Sequence, residues 1–217
     1  MIYSGIIFDL DGTLLNTLGD LANSMNFVLE KHGFPTHDIE KYNYFVGNGM
    51  KELVRRTLPF EEPEESLVEI CLSQLKEQYS RKWHELTMPY AEIEELLDNL
   101  YNKDMKISVL SNKPDEFTKL MIDKFFGLKR FDFVFGSRGG VPNKPDPYSA
   151  LEIARLSKIE PSKYLYLGDT DVDMKTANNA GMYAIGVTWG FRSADELLEN
   201  GANVLIHNPM ELMKFIK

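Results

Sequence analysis

Short apolar segments alternate with amphipathic segments from about residue 87 to residue 187. The apolar segments have the length and composition of buried strands, and they lie at residues 106–110, 131–135, 163–167 and 183–187. Apolar residues recur at helical spacing in segments 91–100, 116–125, 148–157 and 172–180. Together with the apolar run at residues 6–8, this alternation predicts an α/β fold, a Rossmann-like parallel sheet with helices on both faces.

Residues 16–86 do not follow this alternation. They predict consecutive helices, because apolar residues such as Leu18, Leu21 and Met25 recur on one helical stripe. We therefore expect a Rossmann-like catalytic core of residues 1–15 and 87–217, and an inserted all-helical cap domain of residues 16–86. An insertion after the first strand would lie above the carboxyl ends of the strands, where open α/β sheets bind ligands. We expect this cap to close over a substrate about hinges near Asn16 and Thr87.

Polar clusters follow four of the predicted strands. They are DLDGT at residues 9–13, SNK at 111–113, NKPD at 143–146 and GDTDVD at 168–173. The carboxyl ends of parallel strands meet at one edge of a sheet, so residues far apart in sequence converge there. The converging groups are carboxylates, hydroxyls, lysine and glycine-rich backbone.

Asp9 and Asp11 lie on the same side of an extended chain, so their charges repel unless a cation or a shared proton separates them. Carboxylate and carbonyl oxygens are the ligands that Mg²⁺ prefers, and it usually binds a substrate phosphate as well. Lysine, serine and backbone N–H groups bind phosphoryl oxygens. One aspartate can then be a nucleophile and the other a general acid and base. The inventory predicts a magnesium and phosphate site.

Composition and net charge limit the kinds of molecule that the protein is expected to bind. The chain has 217 residues, of which 43% are hydrophobic, so it can build a main domain that carries a smaller one. Its net charge of −9, without any block of Lys and Arg, argues against nucleic acid and favours a small-molecule partner, which the predicted phosphate site makes a small phosphorylated metabolite. The single cysteine, Cys71, offers no disulfide framework. With no signal or membrane-spanning pattern, we expect a cytoplasmic protein without membrane contact, either a monomer or a homodimer.

The four clusters, in this order after predicted strands, resemble the motifs of the haloacid dehalogenase-like superfamily. That resemblance implies that Asp9 attacks phosphorus and that Asp11 protonates the leaving oxygen and later activates water. It further implies a Mg²⁺ ion held by Asp9, the main-chain carbonyl of Asp11 and Asp169. The phosphate-binding residues that it implies are Gly12, Ser111, Asn112 and Lys144. Supporting roles fall to Thr13 and to Asp173, which would orient Lys144 or a metal-bound water, with Asp171 as the alternative to Asp173.

Within the superfamily the chain is most similar to phosphoglycolate phosphatases, in the segments 46–58, 109–114 and 186–191. In the cap, a turn of Gly47, Asn48 and Gly49 opens a helix, and glycine there lets the backbone approach a ligand. Arg55 or Arg56 could meet a substrate carboxylate, but adjacent helical residues cannot both point at it. Asn16 stands where many relatives have aspartate, so it is a further candidate contact.

Other members of the superfamily share most of these motifs. A β-phosphoglucomutase-type phosphotransferase would keep Asp9 and Asp11, but its cap turn usually carries an arginine where this chain has Met50. Pyrophosphatases and nucleotide phosphatases also remain open. A 2-haloacid dehalogenase usually lacks the second motif aspartate, so Asp11 argues against that activity. The four histidines show no metal-ligand spacing. Residues 189–191 (WGF) are interpreted as packing, with contact to the substrate as the alternative.

Overall fold

The computed structural model describes residues 3–216. This part of the chain forms two compact units. Residues 3–15 and 89–216 form one of them, which we call the sheet unit, and residues 16–88 form the other, which we call the helical unit.

The described residues contain eight strands and nine α-helices. The strands are β1 (Gly5–Phe8), β2 (Leu15–Asn16), β3 (Met88–Pro89), β4 (Lys106–Pro114), β5 (Phe133–Ser137), β6 (Tyr164–Gly168), β7 (Tyr183–Val187) and β8 (Val204–Ile206). The helices are α1 (Leu18–Lys31), α2 (Tyr42–Phe45), α3 (Met50–Thr57), α4 (Glu65–Lys82), α5 (Ile93–Tyr101), α6 (Asp115–Phe125), α7 (Tyr148–Ser157), α8 (Asp171–Asn179) and α9 (Ala194–Glu199). Short 3₁₀ turns lie at Ile39–Lys41, Leu128–Arg130, Pro161–Lys163 and Pro209–Phe215.

The sheet unit is built on six parallel strands in the order β5-β4-β1-β6-β7-β8. Strand β1 lies between β4 and β6, with Phe8 opposite both Val109 and Leu167. The carboxyl ends of these three central strands therefore lie side by side. The order also reverses direction at β1, and such a reversal is where open α/β sheets bind ligands.

Burial explains why the central strands are apolar throughout. All four residues of β1 and all five of β6 are buried, as expected for parallel strands that are covered on both faces. Tyr164 and Tyr166 of β6 are fully buried in the core together with Ile7 and residues of α7 and α8. The predicted parallel sheet with flanking helices is confirmed.

The helical unit has its own apolar core. Buried residues of α1, such as Leu21, Met25 and Leu29, recur at helical spacing, and α1 packs against α4. Asp20, in the first turn of α1, is buried, and its carboxylate accepts hydrogen bonds from the N–H groups of Leu86 and Thr87 and from the Thr87 hydroxyl. These bonds tie the two ends of the unit together.

Strand β8 and helix α9 of the sheet unit were absent from the sequence prediction. Strand β8 has only three residues and only one of them is buried, so its apolar pattern is too short to read. Helix α9 has six residues with one buried, Leu197. Strand β4 is also longer than predicted, because Ser111, Asn112 and Lys113 continue its extended backbone. Its pairing with β5 is irregular between Leu110 and Pro114, where these polar residues lie.

Among the described helices, none combines the length and the apolar character needed to span a bilayer.

Candidate active site

Asp9 and Asp11 follow directly on β1. The Asp9 N–H donates to the carbonyl of Leu167 at 2.9 Å, which extends the ladder with β6 by one residue. The chain then turns: Leu14 and Leu15 donate to the carbonyl of Leu10. Asp9 is 5% exposed, so its carboxylate lies in the interior at the end of the strand.

Gly12 meets a close approach in this turn. Its φ is +85°, and a Cβ built there would lie 2.1 Å from a carboxylate oxygen of Asp169. Only glycine fits that position without displacing Asp169. Thr13 is fully buried, and its hydroxyl donates to Asp169 Oδ1 at 3.0 Å.

Ser111, Asn112 and Lys113 lie at the end of β4 and are all buried. Ser111 Oγ accepts a hydrogen bond from the Lys113 N–H at 3.2 Å. The Asn112 side chain holds the main chain of Lys144, since its Oδ1 accepts from the Lys144 N–H at 2.9 Å and its Nδ2 donates to the Lys144 carbonyl at 3.1 Å. The Asn112 amide is therefore used to position Lys144.

Lys144 places its ammonium between two carboxylates. Its Nζ lies 2.9 Å from Asp9 Oδ1 and 2.7 Å from Asp173 Oδ1, and its side chain is 2% exposed. Burial alone would lower the pKa of Lys144, but the charges of Asp173 and Asp9 outweigh burial and hold that pKa well above its ordinary value. The two carboxylates therefore favour the charged form of Lys144.

Asp169 and Asp173 are supplied by the end of β6 and the start of α8. Asp169 Oδ2 accepts the Phe191 N–H at 2.8 Å, in addition to the Thr13 bond at Oδ1. Asp173 occupies the third position of α8, where its Oδ2 accepts from the backbone N–H and the hydroxyl of Thr170 in a capping box. Asp171 instead pairs with Lys175 on the helix surface.

Burial and neighbouring carboxylates raise the pKa values of Asp9 and Asp169. Burial, reinforced by the charge of Asp173, raises the pKa of Asp9 to about 7, although Lys144 partly opposes this. Burial and then the charges of Asp173 and Asp9 raise the pKa of Asp169 well above its ordinary value. A cation placed among these groups would relieve both the burial of charge and the repulsion.

The donor set fits a hard divalent cation. Oxygens of Asp9, Asp169 and Asp173 all lie within 4.8 Å of one another. Asp9 Oδ1 is buried, and among the described residues it accepts no well-directed hydrogen bond despite its closeness to Lys144. When ionised, the four carboxylates and two lysines of the site carry two net negative charges, counting Asp11 and Lys113 with the residues above. Oxygen ligands with that charge suit Mg²⁺.

The segment 189–191 does more than pack. Trp189 Nε1 donates to the carbonyl of Thr13 at 3.0 Å, while the Phe191 N–H donates to Asp169. A Cβ on Gly190 would lie 2.2 Å from Asp169 Cβ and 2.5 Å from the carbonyl oxygen of Gly12. The segment therefore braces Asp169 and the turn after β1, a role that its apolar composition did not reveal.

Lys113 belongs to the site, although the sequence pattern indicated no role for it. Its Nζ lies 2.7 Å from Asp11 Oδ1, with 2% of the lysine side chain and 13% of the aspartate side chain exposed. Its place in one of the four polar clusters was the signal that could have found it. Tyr90 is a second omission, because burial and then the charges of Asp169 and Asp11 raise the pKa of its hydroxyl.

The remaining predicted contacts lie in the helical unit. Gly47 and Gly49 have φ of +123° and +91°, and Gly49 is the N-cap of α3. Arg56 donates to Asn48 Oδ1 at 2.9 Å and to the carbonyl of Tyr44 at 3.1 Å. Arg56 thus holds this turn in place.

Arg55 and Asn16 complete the set of predicted contacts. Arg55 pairs with Glu65 and lines an open surface cavity of about 380 Å³ together with Phe60 and Glu62. Asn16 is exposed, and its Oδ1 accepts the Leu18 N–H at 3.4 Å, at the start of α1.

Known proteins resemble this chain over most of its length. The model of the haloacid dehalogenase-like hydrolase family matches residues 6–187. A phosphoglycolate phosphatase of Pseudomonas putida is 30% identical over 190 residues, which cover 86% of this chain and 70% of that protein. Phosphoglycolate phosphatase 1 of Pseudomonas aeruginosa is 29% identical over 212 residues, which cover 96% of this chain and 78% of that protein.

Solved structures show the same fold. A protein of Lactobacillus delbrueckii subsp. bulgaricus, provisionally assigned as a phosphoglycolate phosphatase, has a TM-score of 0.92 and 31% identity, covering 100% of this chain and 99% of its own. A haloacid dehalogenase-like hydrolase of Streptococcus pneumoniae has a TM-score of 0.89 at 21% identity, with the same coverage. The predicted relationship is confirmed: the chain is an enzyme of the haloacid dehalogenase-like hydrolase family.

Proposed function

We propose that this enzyme is a Mg²⁺-dependent phosphatase that hydrolyses a small phosphomonoester, 2-phosphoglycolate or a close analogue, through an aspartyl-phosphate intermediate. The observation that carries the proposal is the convergence of Asp9, Asp11, Asp169 and Lys144 at one edge of the sheet. The family and the phosphatases among its relatives support a phosphoric monoester hydrolase as the enzyme class.

The metal would be held by the carboxylates of Asp9 and Asp169 and by the main-chain carbonyl of Asp11. When bound, Mg²⁺ neutralises charge on the phosphoryl oxygens and keeps the substrate phosphate against Asp9. Thr13 and the Phe191 N–H already hold the two oxygens of Asp169 in fixed directions. Hydrogen bonds of this kind to a metal-binding carboxylate orient it before the ion arrives.

The phosphoryl oxygens would be bound by Lys144, the Ser111 hydroxyl, and backbone N–H groups at Gly12 and Asn112. Lys144 is suited to this task because its carboxylate neighbours favour its charged form and because Asn112 and Asp173 fix both ends of the residue. Preorganised donors of this type stabilise the charge that develops on the transferring phosphoryl group.

The chemistry then divides between two aspartates. Asp9 attacks phosphorus, so that a carboxylate–phosphorus bond forms while the bond from phosphorus to the leaving oxygen breaks. Asp11 gives its proton to that oxygen, and the alcohol departs. In the second half, Asp11 takes a proton from a water molecule that attacks the aspartyl phosphate. Inorganic phosphate leaves, and Asp9 and Asp11 return to their starting states.

The proposal is tested by phosphate release from a panel of 2-phosphoglycolate, pyrophosphate, nucleoside monophosphates, sugar phosphates and β-glucose 1-phosphate, with Mg²⁺ and with chelator. We expect hydrolysis of 2-phosphoglycolate that depends on Mg²⁺ and that is lost in Asp9→Asn. Asp171→Asn is the matched control, because Asp171 pairs with Lys175 outside the site. Full turnover without metal, or by Asp9→Asn, would refute the mechanism.

The same panel separates the other activities within the superfamily. Interconversion of sugar phosphates without net phosphate release would indicate a phosphotransferase. Preference for pyrophosphate or a nucleotide would replace the substrate and leave the site chemistry intact. Mass spectrometry of enzyme quenched during turnover should show one added phosphoryl group on the peptide that contains Asp9.

A further inference from the structure

Lys113 is a cation in the interior of the sheet unit that phosphoryl binding does not require. It is the eighth residue of β4, and its Nζ lies 2.7 Å from Asp11 Oδ1. With 2% of its side chain exposed, it is as deeply buried as Lys144. Lysine is seldom buried to this degree, because its ammonium loses hydration, so a buried lysine in a polar site indicates a use.

The two lysines face different carboxylates. Lys144 lies against Asp9 and Asp173, on the side where the phosphoryl group is transferred. Lys113 lies against Asp11, which in the proposed function donates its proton to the leaving oxygen. Any substituent on the leaving alcohol, within a few bonds of that oxygen, is therefore close to Lys113.

An ammonium group has three donors and can hold Asp11 while it donates to a second anion. In a buried site, a hydrogen bond between charged groups is stronger than one between neutral groups. A leaving alcohol that carries a carboxylate would gain this bond, whereas a neutral alcohol would not. Lys113 can thus distinguish an anionic from a neutral leaving alcohol without help from another residue, because Asp11 already holds its ammonium group in place.

We propose that Lys113 is a specificity-determining residue that binds the anionic group of the leaving alcohol, so that the enzyme selects phosphoesters of short hydroxy acids. This inference rests on the proposed function, because it takes Asp11 to act at the leaving oxygen. It assigns the substrate carboxylate to Lys113, whereas the sequence pattern favoured Arg55 or Arg56 for that contact. Those two arginines are engaged within the helical unit, Arg55 by Glu65 and Arg56 by Asn48.

The test compares two substrates that differ in one charge. They are 2-phosphoglycolate and its amide, in which an uncharged carboxamide of nearly equal size replaces the carboxylate. We expect the wild-type enzyme with Mg²⁺ to favour 2-phosphoglycolate in kcat/KM by about 10- to 100-fold, the usual worth of a hydrogen bond to a charged group. In Lys113→Met this preference should fall to about twofold or less, and Lys113→Arg should restore part of it.

Lys119→Met is the matched control. Lys119 pairs with Asp115 at the same distance of 2.7 Å, but on the surface of α6, so the preference should not change. Arg55→Met tests the other assignment, and it should also keep the preference. Both substrates will slow in Lys113→Met, because Asp11 loses a partner, so the ratio between substrates is the decisive readout.

Two results would overturn the inference while leaving the phosphatase intact. One is a wild-type enzyme that hydrolyses both esters equally. The other is a preference for 2-phosphoglycolate over its amide that persists in Lys113→Met, or that is lost in Arg55→Met. Failure of the wild-type enzyme to hydrolyse either ester, or hydrolysis that needs no metal, would instead refute the proposed function itself, and the inference with it.

Discussion

Asn112 and Lys144 are joined by two hydrogen bonds, one in each direction between the amide side chain and the lysine main chain. The residues come from different polar clusters, 32 positions apart. The amide thereby fixes the point from which the lysine side chain extends to Asp9 and Asp173. Asn112 thus positions the main chain of Lys144, whereas Asp9 and Asp173 position its ammonium group.

Replacing Asn112 with alanine should therefore reduce catalysis as well as stability. Two buried backbone groups would lose partners, which costs about 1–3 kcal/mol each at most. We expect kcat/KM to fall by about tenfold or more, because Lys144 would no longer be held. Urea unfolding and steady-state kinetics measure the two effects. Asn179→Ala removes one exposed bond to the adjacent Pro145 carbonyl and should have little effect on either quantity. Equal kinetic losses in both variants would contradict a special role for Asn112.

The brace formed by residues 189–191 predicts that Gly190→Ala will damage the site. The added methyl group would collide with Asp169 and with the Gly12 carbonyl. Overpacking of this kind destabilises by about 1–3 kcal/mol, and Asp169 should be displaced from its bonds. Gly139→Ala is a matched control, since its Cβ would meet nothing within 4 Å. Thermal unfolding and phosphatase assays of both variants provide the measurement. A Gly190→Ala enzyme with normal activity would show that Asp169 tolerates the shift.

Stability without metal should fall as the pH rises. The raised pKa values of Asp9 and Asp169 mean that the folded state holds protons which the unfolded chain releases from about pH 4 upward. Their contribution to stability is complete below that pH and is lost as the pH passes through about 7, the pKa of Asp9 in the folded state. The free energy of unfolding in chelator should thus decrease between about pH 5 and pH 8.

Adding Mg²⁺ should reverse that decrease, with a larger gain near pH 8 than near pH 5, because protons compete with the ion for the carboxylates. Asp9→Asn should flatten the dependence on pH, whereas Asp171→Asn should leave it unchanged. A stability curve in chelator that rises over this interval in the wild type, and equally in Asp9→Asn, would argue against strained carboxylates.

Three described residues other than glycine, Glu92, Asp104 and Lys158, adopt the left-handed backbone region, and two of them directly flank a helix. Glu92 precedes α5 with φ of +64°, and Lys158 follows α7 with φ of +58°. Glycine avoids the steric cost of this conformation, so Glu92→Gly and Lys158→Gly should each stabilise the protein by up to about 1 kcal/mol. Glu95→Gly, inside α5, should instead destabilise it by up to about 1 kcal/mol. Chemical unfolding distinguishes these outcomes, and destabilisation by both of the first two changes would contradict the assignment.

The apolar runs predicted most of the sheet, because strands that are buried on both faces must be continuously hydrophobic. The run YAIGV predicted β7 with the bounds that the structure gives it, and the segment 148–157 likewise predicted α7. The same logic failed for β8, whose edge position leaves two of its three residues only partly buried. A strand that is half exposed and three residues long has no pattern to detect.

The candidate site was predictable to the extent that Asp9, Asp169 and Lys144 do converge at one edge of the sheet. It was less predictable where geometry assigns the task. In the sequence, Lys113 cannot be distinguished from a surface lysine. In the structure it is buried beside Asp11. The role of Trp189 depends on one hydrogen bond across the chain to Thr13, which composition cannot show. Contacts of this kind join residues that are far apart in the sequence, so the residues around each partner do not indicate them.

The two oxygens of Asp173 serve different parts of the molecule. Oδ2 closes the first turn of α8 through Thr170, and Oδ1 holds the ammonium of Lys144. The carboxylate that holds the Lys144 ammonium is therefore the same one that caps α8. Fraying of the first turn of α8 is thus expected to release the ammonium of Lys144 together with the helix cap.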